Sequence, residues 1–304
     1  MYFLNRHTLL ISGKGGVGRT AVSAAIGLAS SKAKKRTLVL EIAYEEGSQS
    51  ALGARFGRPD LNEEACPIND FLAIGRLNAK AGHSLFLRTI LPSKTLIAAA
   101  LRSKAVHKFL TAAPSLHEMG IFYHLLTLLQ KTRSDGTRQY ELIIIDMPAT
   151  GHTLALTGLP AILLRLIPAG PIARALKEGQ SILNNPELCE AWIVTLPEKL
   201  PVTEALELVD GLTETDVTVG GMILNRMPPD PFTDDERAAL DAYCDAEHFF
   251  GQLTLARIRA AKVALSELKN RFDSPVLDLP EVVDTDLVTN PLTAYIGELM
   301  GTES

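Results

Sequence analysis

Short apolar runs alternate along most of the chain with longer stretches in which apolar residues recur every three or four positions. His7–Ser12, Thr37–Ile42, Leu142–Ile145, Ala191–Leu196, Val219–Leu224 and Val276–Leu279 are short and almost continuously apolar, which predicts buried strands. The three- and four-residue spacing predicts helices over Thr20–Ser31, Thr153–Ile167, Val202–Leu212, Thr233–Asp245, Leu255–Phe272 and Leu292–Met300. Strands alternating with helices in this way predict an α/β fold, a doubly wound and mostly parallel sheet covered on both faces. One stretch, 59–131, reads as mainly helical. The expected organisation is therefore a single domain over residues 1–304 with a helical subdomain inserted at 59–131. Ligands of such sheets sit at the carboxyl ends of the strands.

Composition narrows the class. With 46% hydrophobic and 21% charged residues in 304, the chain can bury a sizeable core. A net charge of −5 argues against a nucleic-acid surface. The one dense basic run, Lys32–Arg36, reads as the charge complement of a helix C-terminus. No apolar run reaches the length of about 18 residues that spans a bilayer, so no integral membrane segment is expected. Met1 leads almost directly into the first strand, and no signal peptide is read there. Cys66, Cys189 and Cys244 form no Cys-x-x-Cys pair, which suits a cytoplasmic protein.

Residues 13–20, between the first predicted strand and helix, read Gly-Lys-Gly-Gly-Val-Gly-Arg-Thr. Strand, glycine-rich loop and helix form the setting of a phosphate-binding loop. Its backbone N–H groups and helix N-terminus surround the phosphates of a nucleotide. Gly13, Gly15, Gly16 and Gly18, with Val17 in the same loop, let the backbone approach ATP, and Thr20 offers a hydroxyl to Mg²⁺. Arg19 stands where the general pattern has lysine; it keeps the charge but carries it on a longer planar fork. Asp146 ends a buried strand, where a carboxylate can hold a water on Mg²⁺, so Thr20 and Asp146 are the metal candidates. Gly151 allows a backbone N–H to approach a γ-phosphate. Asn225, followed by Arg226, closes a strand with an amide that donates and accepts at once, as an adenine edge requires.

The Lys-Gly-Gly-x-Gly-x-Thr run over residues 14–20 resembles the deviant Walker A loop of the MinD, ParA, nitrogenase-iron-protein and ArsA class of P-loop NTPases, departing from it at Arg19. Asp146-Met-Pro-Ala-Thr-Gly-His-Thr153 is similar to a signature of the ArsA/GET-type ATPases, which include the arsenite-pump ATPase and the tail-anchored-protein targeting ATPase. The resemblance covers most of the chain. It implies a homodimer, or a heterodimer with a related ATPase, in which Lys14 reaches the partner's nucleotide. It further implies that Asp146 to Gly151 act as a nucleotide switch, that Asn225 and Arg226 meet adenine, and that Pro280 and Glu281 cover the base from the other side. Lys14, Asp146 and Gly151 are thus the candidate catalytic positions.

A second departure falls after strand two. The family's Asp-Pro-Ala-His-Ser, whose aspartate positions the attacking water, is replaced by Ala43-Tyr-Glu-Glu-Gly within Glu41–Ser48. Glu41, Glu45 and Glu46 are nearby carboxylates, none at the matching position. Loss of a positioned base costs about 10²–10⁴-fold in rate. The expected function is a dimeric switch that binds Mg·ATP with slow or partner-dependent hydrolysis; the alternative is a non-enzymatic scaffold or heterodimer subunit. Leu85–Leu91, Leu96–Leu101 and Ile121–Leu129 are strongly apolar and are read first as packing within the helical subdomain. A groove for a hydrophobic protein client is the lesser reading. His117 and His124, seven apart, are read as packing residues. A MinD-like role is disfavoured because no lysine or arginine follows Arg271 to build a basic membrane helix, and a ParA-like role because DNA binding calls for surface basic residues.

Overall fold

The computed structural model of the protein describes residues 2–43, 47–90, 93, 95, 102–103, 114–166, 168–244, 251–282 and 291–301. Its strands are β1 (Thr8–Gly13), β2 (Thr37–Ile42), β3 (Cys66–Asn69), β4 (Leu72–Leu77), β5 (Leu142–Asp146), β6 (Cys189–Thr195), β7 (Val219–Met227) and β8 (Val276–Pro280). They form one eight-stranded sheet in the order β3-β4-β2-β5-β1-β6-β7-β8. All neighbouring pairs are parallel except the edge pair β3–β4. The helices are α1 (Arg19–Lys32), α2 (Ala51–Arg55), α3 (Ala79–Ile90), α4 (Pro114–Leu129), α5 (Thr150–Leu166), α6 (Pro171–Leu183), α7 (Lys199–Glu214), α8 (Asp234–Cys244), α9 (Gln252–Arg271) and α10 (Pro291–Met300).

Side chains alternate across a strand, so a continuously apolar strand feeds two cores at once. Leu9 and Ile11 of β1, Val39 of β2, Ile144 of β5 and Trp192 and Val194 of β6 face one layer, with Val22 and Ile26 of α1, Leu52 of α2 and Ile296 of α10. The interleaved Leu10, Leu38, Leu40, Ile143, Ile145 and Ile193 face the other, with residues of α3 to α7 and α9. Each such side chain fully buried contributes about 1.5–3 kcal/mol. The two-sided burial is what defines a doubly wound sheet.

The stretch 59–131 departs from its expected helical character in its first part. β3 and β4 lie within it, and β4 pairs with β2 from Thr37↔Leu72 to Ile42↔Leu77. A short apolar run such as Leu72-Ala-Ile has no period long enough to distinguish a buried strand from a helix. The turn between β3 and β4 is closed by Asn69 Oδ1, which accepts from Phe71 N–H at 2.9 Å. Pro67 sits on the edge strand, where a missing N–H does least harm. Helical structure begins at Ala79. There α3 and α4 meet closely: a Cβ at Gly82 would lie 1.7 Å from the carbonyl oxygen of Gly120. Phe86, Ile121, Phe122, Leu125 and Leu129 join these helices to the core on that face of the sheet, and Leu87 and Leu126 are buried as well. Leu96–Leu101 lies outside the described residues. No described helix is long and apolar enough to cross a membrane.

Candidate functional site

The strand order reverses beside β1, and the loop leaving β1 opens there at the carboxyl edge of the sheet. Its glycines divide into two kinds. Gly13 and Gly18 are required by protein contacts. A Cβ at Gly13 would lie 2.2 Å from the Val194 carbonyl oxygen of β6, and one at Gly18 would lie 2.4 Å from Asn225 Nδ2. Gly18 also holds φ at 95°, in the left-handed region. Gly15 and Gly16 face open space, with no atom within 4 Å of an added Cβ. That pair forms the free rim on which an anion can rest.

Asp146 ends β5, partnered in register with Ile11 of β1 and Glu41 of β2. Its Oδ2 accepts a 2.6 Å hydrogen bond from Thr20 Oγ1. Its Oδ1 is buried and has no hydrogen-bond partner among the described residues. Burial raises the Asp146 pKa to about 6, with Thr20, Arg19 and Arg55 opposing and Glu41 adding to the rise. A buried carboxylate with one oxygen shared with a threonine hydroxyl and the other unpaired is short of a cation. The chemistry of the pair fits a divalent cation such as Mg²⁺.

Arg19 does not lie free over the loop. Its guanidinium donates to the Met147 carbonyl oxygen just beyond Asp146. Burial lowers its pKa from the usual value and the Asp146 charge opposes that shift. Asn225 is buried and its Nδ2 donates to the Val17 carbonyl oxygen at 2.8 Å, tying the end of β7 to the phosphate loop. Arg226 follows in the left-handed conformation, φ 58°, where the β7–β8 register shifts.

A cleft of about 590 Å³ lies over the loop, lined by Gly16, Gly18, Arg19, Thr20, Arg55 and Arg226 among others. Arg55, on α2, carries no signal of a site in the sequence, where it is a lone arginine of a five-residue helix. Of the predicted site residues, Gly13, Lys14, Gly15, Val17, Asp146, Gly151, Asn225, Pro280 and Glu281 do not line this cleft among the described residues. Lys14 Nζ instead pairs with Glu204 of α7 at 2.6 Å. Gly151 is exposed in the first turn of α5, next to an exposed His152. That turn is joined to β1 through Ser12 Oγ and the buried Thr153 Oγ1, 3.0 Å apart. Glu281 donates its N–H to the Met227 carbonyl oxygen at 2.9 Å and pairs with Arg257 at 2.9 Å.

The segment after β2 shows what the departure there does. Ala43 is buried, its N–H donating to Leu77 O at 2.8 Å, and it brings no carboxylate. Glu41 is occupied in structure. It accepts from the Ser50 hydroxyl and from Ala51 N–H at 3.1 Å, and Arg76 stands 3.9 Å away. Ser50 in turn caps α2 by accepting from Gly53 N–H at 2.8 Å. Glu45 and Glu46 lie outside the described residues.

The cysteines do not converge. Cys66 on β3 and Cys189 on β6 are separated by four intervening strands, about 24 Å at the usual strand spacing. Cys189 is fully buried, which pushes its thiol pKa up. The side chain of Cys244 lies outside the described residues. His124 is buried and its Nδ1 accepts from Asn78 N–H at 3.5 Å, a packing role. No cluster of metal-ligating side chains occurs among the described residues.

A parallel sheet with a glycine-rich loop after β1, and a threonine–aspartate pair beneath it, defines a phosphate-loop nucleotide-binding protein. A family model described as anion-transporting ATPase matches residues 6–169, and the chain belongs to that family. It is 26% identical over 301 residues to the putative ATPase Mb3704 of Mycobacterium bovis, covering 90% of this chain and 87% of the relative. It is 23% identical to the ATPase GET3 of Zygosaccharomyces rouxii, covering 78% of this chain and 76% of the relative. A putative arsenical pump-driving ATPase of Prosthecochloris vibrioformis is 28% identical over 50% of this chain and 35% of its own.

Proposed function

We propose that the chain is a nucleotide switch that binds Mg·ATP in the cleft over residues 13–20 and hydrolyses it slowly or only with a partner. The observation that carries this reading is Asp146, buried, hydrogen-bonded to Thr20 through one oxygen and unpaired at the other among the described residues. Thr20 and Asp146 would hold Mg²⁺, and Gly15, Gly16 and the cleft arginines would hold the phosphates. Bound Mg²⁺ supplies charge neutralisation at the phosphate oxygens. Asn225 fixes the loop from behind through Val17. Thr153 ties the first turn of α5 to β1, so a ligand that moved residues 146–151 would act on α5 as well.

Slow turnover is what the described residues at the reacting end support. Ala43 cannot orient water, and Glu41 is held by Ser50, Ala51 and Arg76 rather than free to replace it. Arg19 directs its fork at a backbone carbonyl. The family's anion-transporting description and relatives named ATPase support nucleotide use. A dimer, with Lys14 serving a neighbouring nucleotide, and a helical subdomain built on α3 and α4 remain part of this proposal. Lys14 is exposed at the loop, and its ion pair among the described residues is to the partly buried Glu204, which a partner can displace.

The test is steady-state turnover of the chain beside the double variant Arg19→Lys, Ala43→Asp. Slow wild-type turnover and a rise of about 10²-fold or more in the variant is expected. Wild-type turnover already unaffected by either change would refute the slow-switch reading. Nucleotide binding without turnover in both proteins would favour the scaffold alternative.

A further inference from the structure

The cleft carries more positive charge than a phosphate loop alone provides. Arg55 arrives on α2 and Arg226 at the end of β7, from elements remote in sequence, and both line the same opening as Gly16 and Thr20. Neither guanidinium has an ion pair or hydrogen bond among the described residues, whereas Arg76 and Arg237 are each tied to protein acceptors. The two sense one another: desolvation lowers the Arg55 pKa, the Arg226 charge lowers it further, and Asp146 opposes both. Arg226 is moreover held at φ 58°, in the left-handed region that non-glycine residues seldom adopt. Both side chains are exposed, so their charges are held in solvent at one opening, with no protein acceptor among the described residues. An anion with several oxygens lying between them would supply that acceptor.

Glu41 acts on the same region through α2. By accepting from Ser50 and Ala51 it anchors the first turn of α2 to the sheet edge. That anchorage sets where the far end of this short helix, Arg55, stands. Arg19 meanwhile is drawn to the Met147 carbonyl oxygen.

We propose that Arg55 and Arg226 form a clamp on the phosphate chain of the bound nucleotide, supplying the cationic charge that Arg19 directs elsewhere, with Glu41 as the positioning residue for Arg55. Arg226 then meets phosphate rather than adenine. The inference rests on the reading of the cleft as a nucleotide site, and its test separates the two.

Calorimetric titration of the full chain with Mg·ATP, with adenosine and with inorganic tripolyphosphate gives the comparison. Arg55→Ala and Arg226→Ala should each weaken Mg·ATP and tripolyphosphate by about 10-fold or more, the scale of a charged hydrogen bond, and leave adenosine unchanged. Arg55→Lys and Arg226→Lys, which keep the charge but lose the fork, should fall between. The slope of log Kd for Mg·ATP against log salt should become shallower in the alanine variants. Glu41→Gln should weaken phosphate ligands in the wild-type background and do nothing further in Arg55→Ala. If the wild type binds Mg·ATP and both alanine variants bind it equally well, the clamp is wrong and the nucleotide site stands. If adenosine weakens in parallel with ATP, the arginines serve the base or the fold, and the clamp is also wrong. If the wild type binds none of the three, the nucleotide reading itself falls.

Discussion

Glu41 and Asp146 stand opposite each other at the ends of two neighbouring parallel strands, yet their carboxylates are committed differently. Glu41 is spent on the first turn of α2, while Asp146 keeps one buried oxygen unpaired among the described residues. Their proximity is felt electrostatically, since the Glu41 charge adds to the rise of the Asp146 pKa towards about 6. In this chain the strand-end carboxylate that builds the wall and the one available to a cation are neighbours.

A pH dependence follows. Protonated Asp146 cannot serve Mg²⁺, so the Mg²⁺-dependent part of ATP affinity should strengthen as pH rises through about 6 and level off above pH 7. Glu41→Gln should move that midpoint down, because one of the terms raising it is gone. Calorimetry at fixed Mg²⁺ across pH 5–8 checks both. A midpoint near the ordinary aspartate value of about 4 would contradict the buried environment.

The free protein should show a paired signature in stability. Asp146 has a raised folded pKa. The folded state therefore holds a proton that the unfolded chain has lost, and this contribution fades as pH rises from 3.8 to about 6. His7 is the opposite case, lowered to about 4 by burial and by the charges of Arg138 and Lys35, against a hydrogen bond at Tyr140. Its contribution is present above pH 6.5 and is lost as pH falls towards 4. Each amounts to about 3 kcal/mol, and over this window they nearly cancel. Denaturant unfolding of Asp146→Asn should therefore expose a steep loss of stability from pH 6.5 to 4, and His7→Gln a gain on the same acidification.

Close packing of α3 on α4 is a point of vulnerability. Gly82→Ala places a methyl 1.7 Å from the Gly120 carbonyl oxygen, backbone that cannot swing aside. A loss of about 1–3 kcal/mol, the usual cost of overpacking, is expected in thermal or denaturant unfolding. Gly15→Ala, which meets open space, should leave stability nearly unchanged.

The single tryptophan reports on a second network. Trp192 Nε1 donates to Glu190 Oε1 at 2.8 Å, and Glu190 Oε2 stands 3.1 Å from Arg6 Nε. Glu190→Ala strands the buried indole N–H and should cost about 1–3 kcal/mol, read from Trp192 fluorescence during unfolding. Glu190→Gln can still accept from the indole and should cost less.

How much of this was legible beforehand differs by element. The predicted strands each fell on an observed strand to within a few residues, because burial on both faces leaves little room for polar positions. The loop, Thr20 and Asp146 were legible because glycine spacing and a strand-terminal carboxylate are local signals. β3 and β4 were not, since a run such as Leu72-Ala-Ile-Gly carries no period. Helix α6 was unexpected, although Pro171 opens it and Ala173, Leu176, Gly179 and Leu183 recur at three- and four-residue spacing on its buried side. The ties that set the site lay beyond reach for another reason. Arg19 to Met147, Glu41 to Ser50, Lys14 to Glu204 and Arg55 beside Arg226 are products of tertiary packing, with no trace in residue order.

The most direct measurement is calorimetric titration of the full chain with Mg·ATP at pH 7.5, beside Asp146→Ala. Binding with a Kd on the order of micromolar, lost or weakened at least 10-fold in the variant and in the absence of Mg²⁺, is the predicted result. No heat of binding in the wild type, or binding indifferent to Asp146 and to Mg²⁺, would contradict the account.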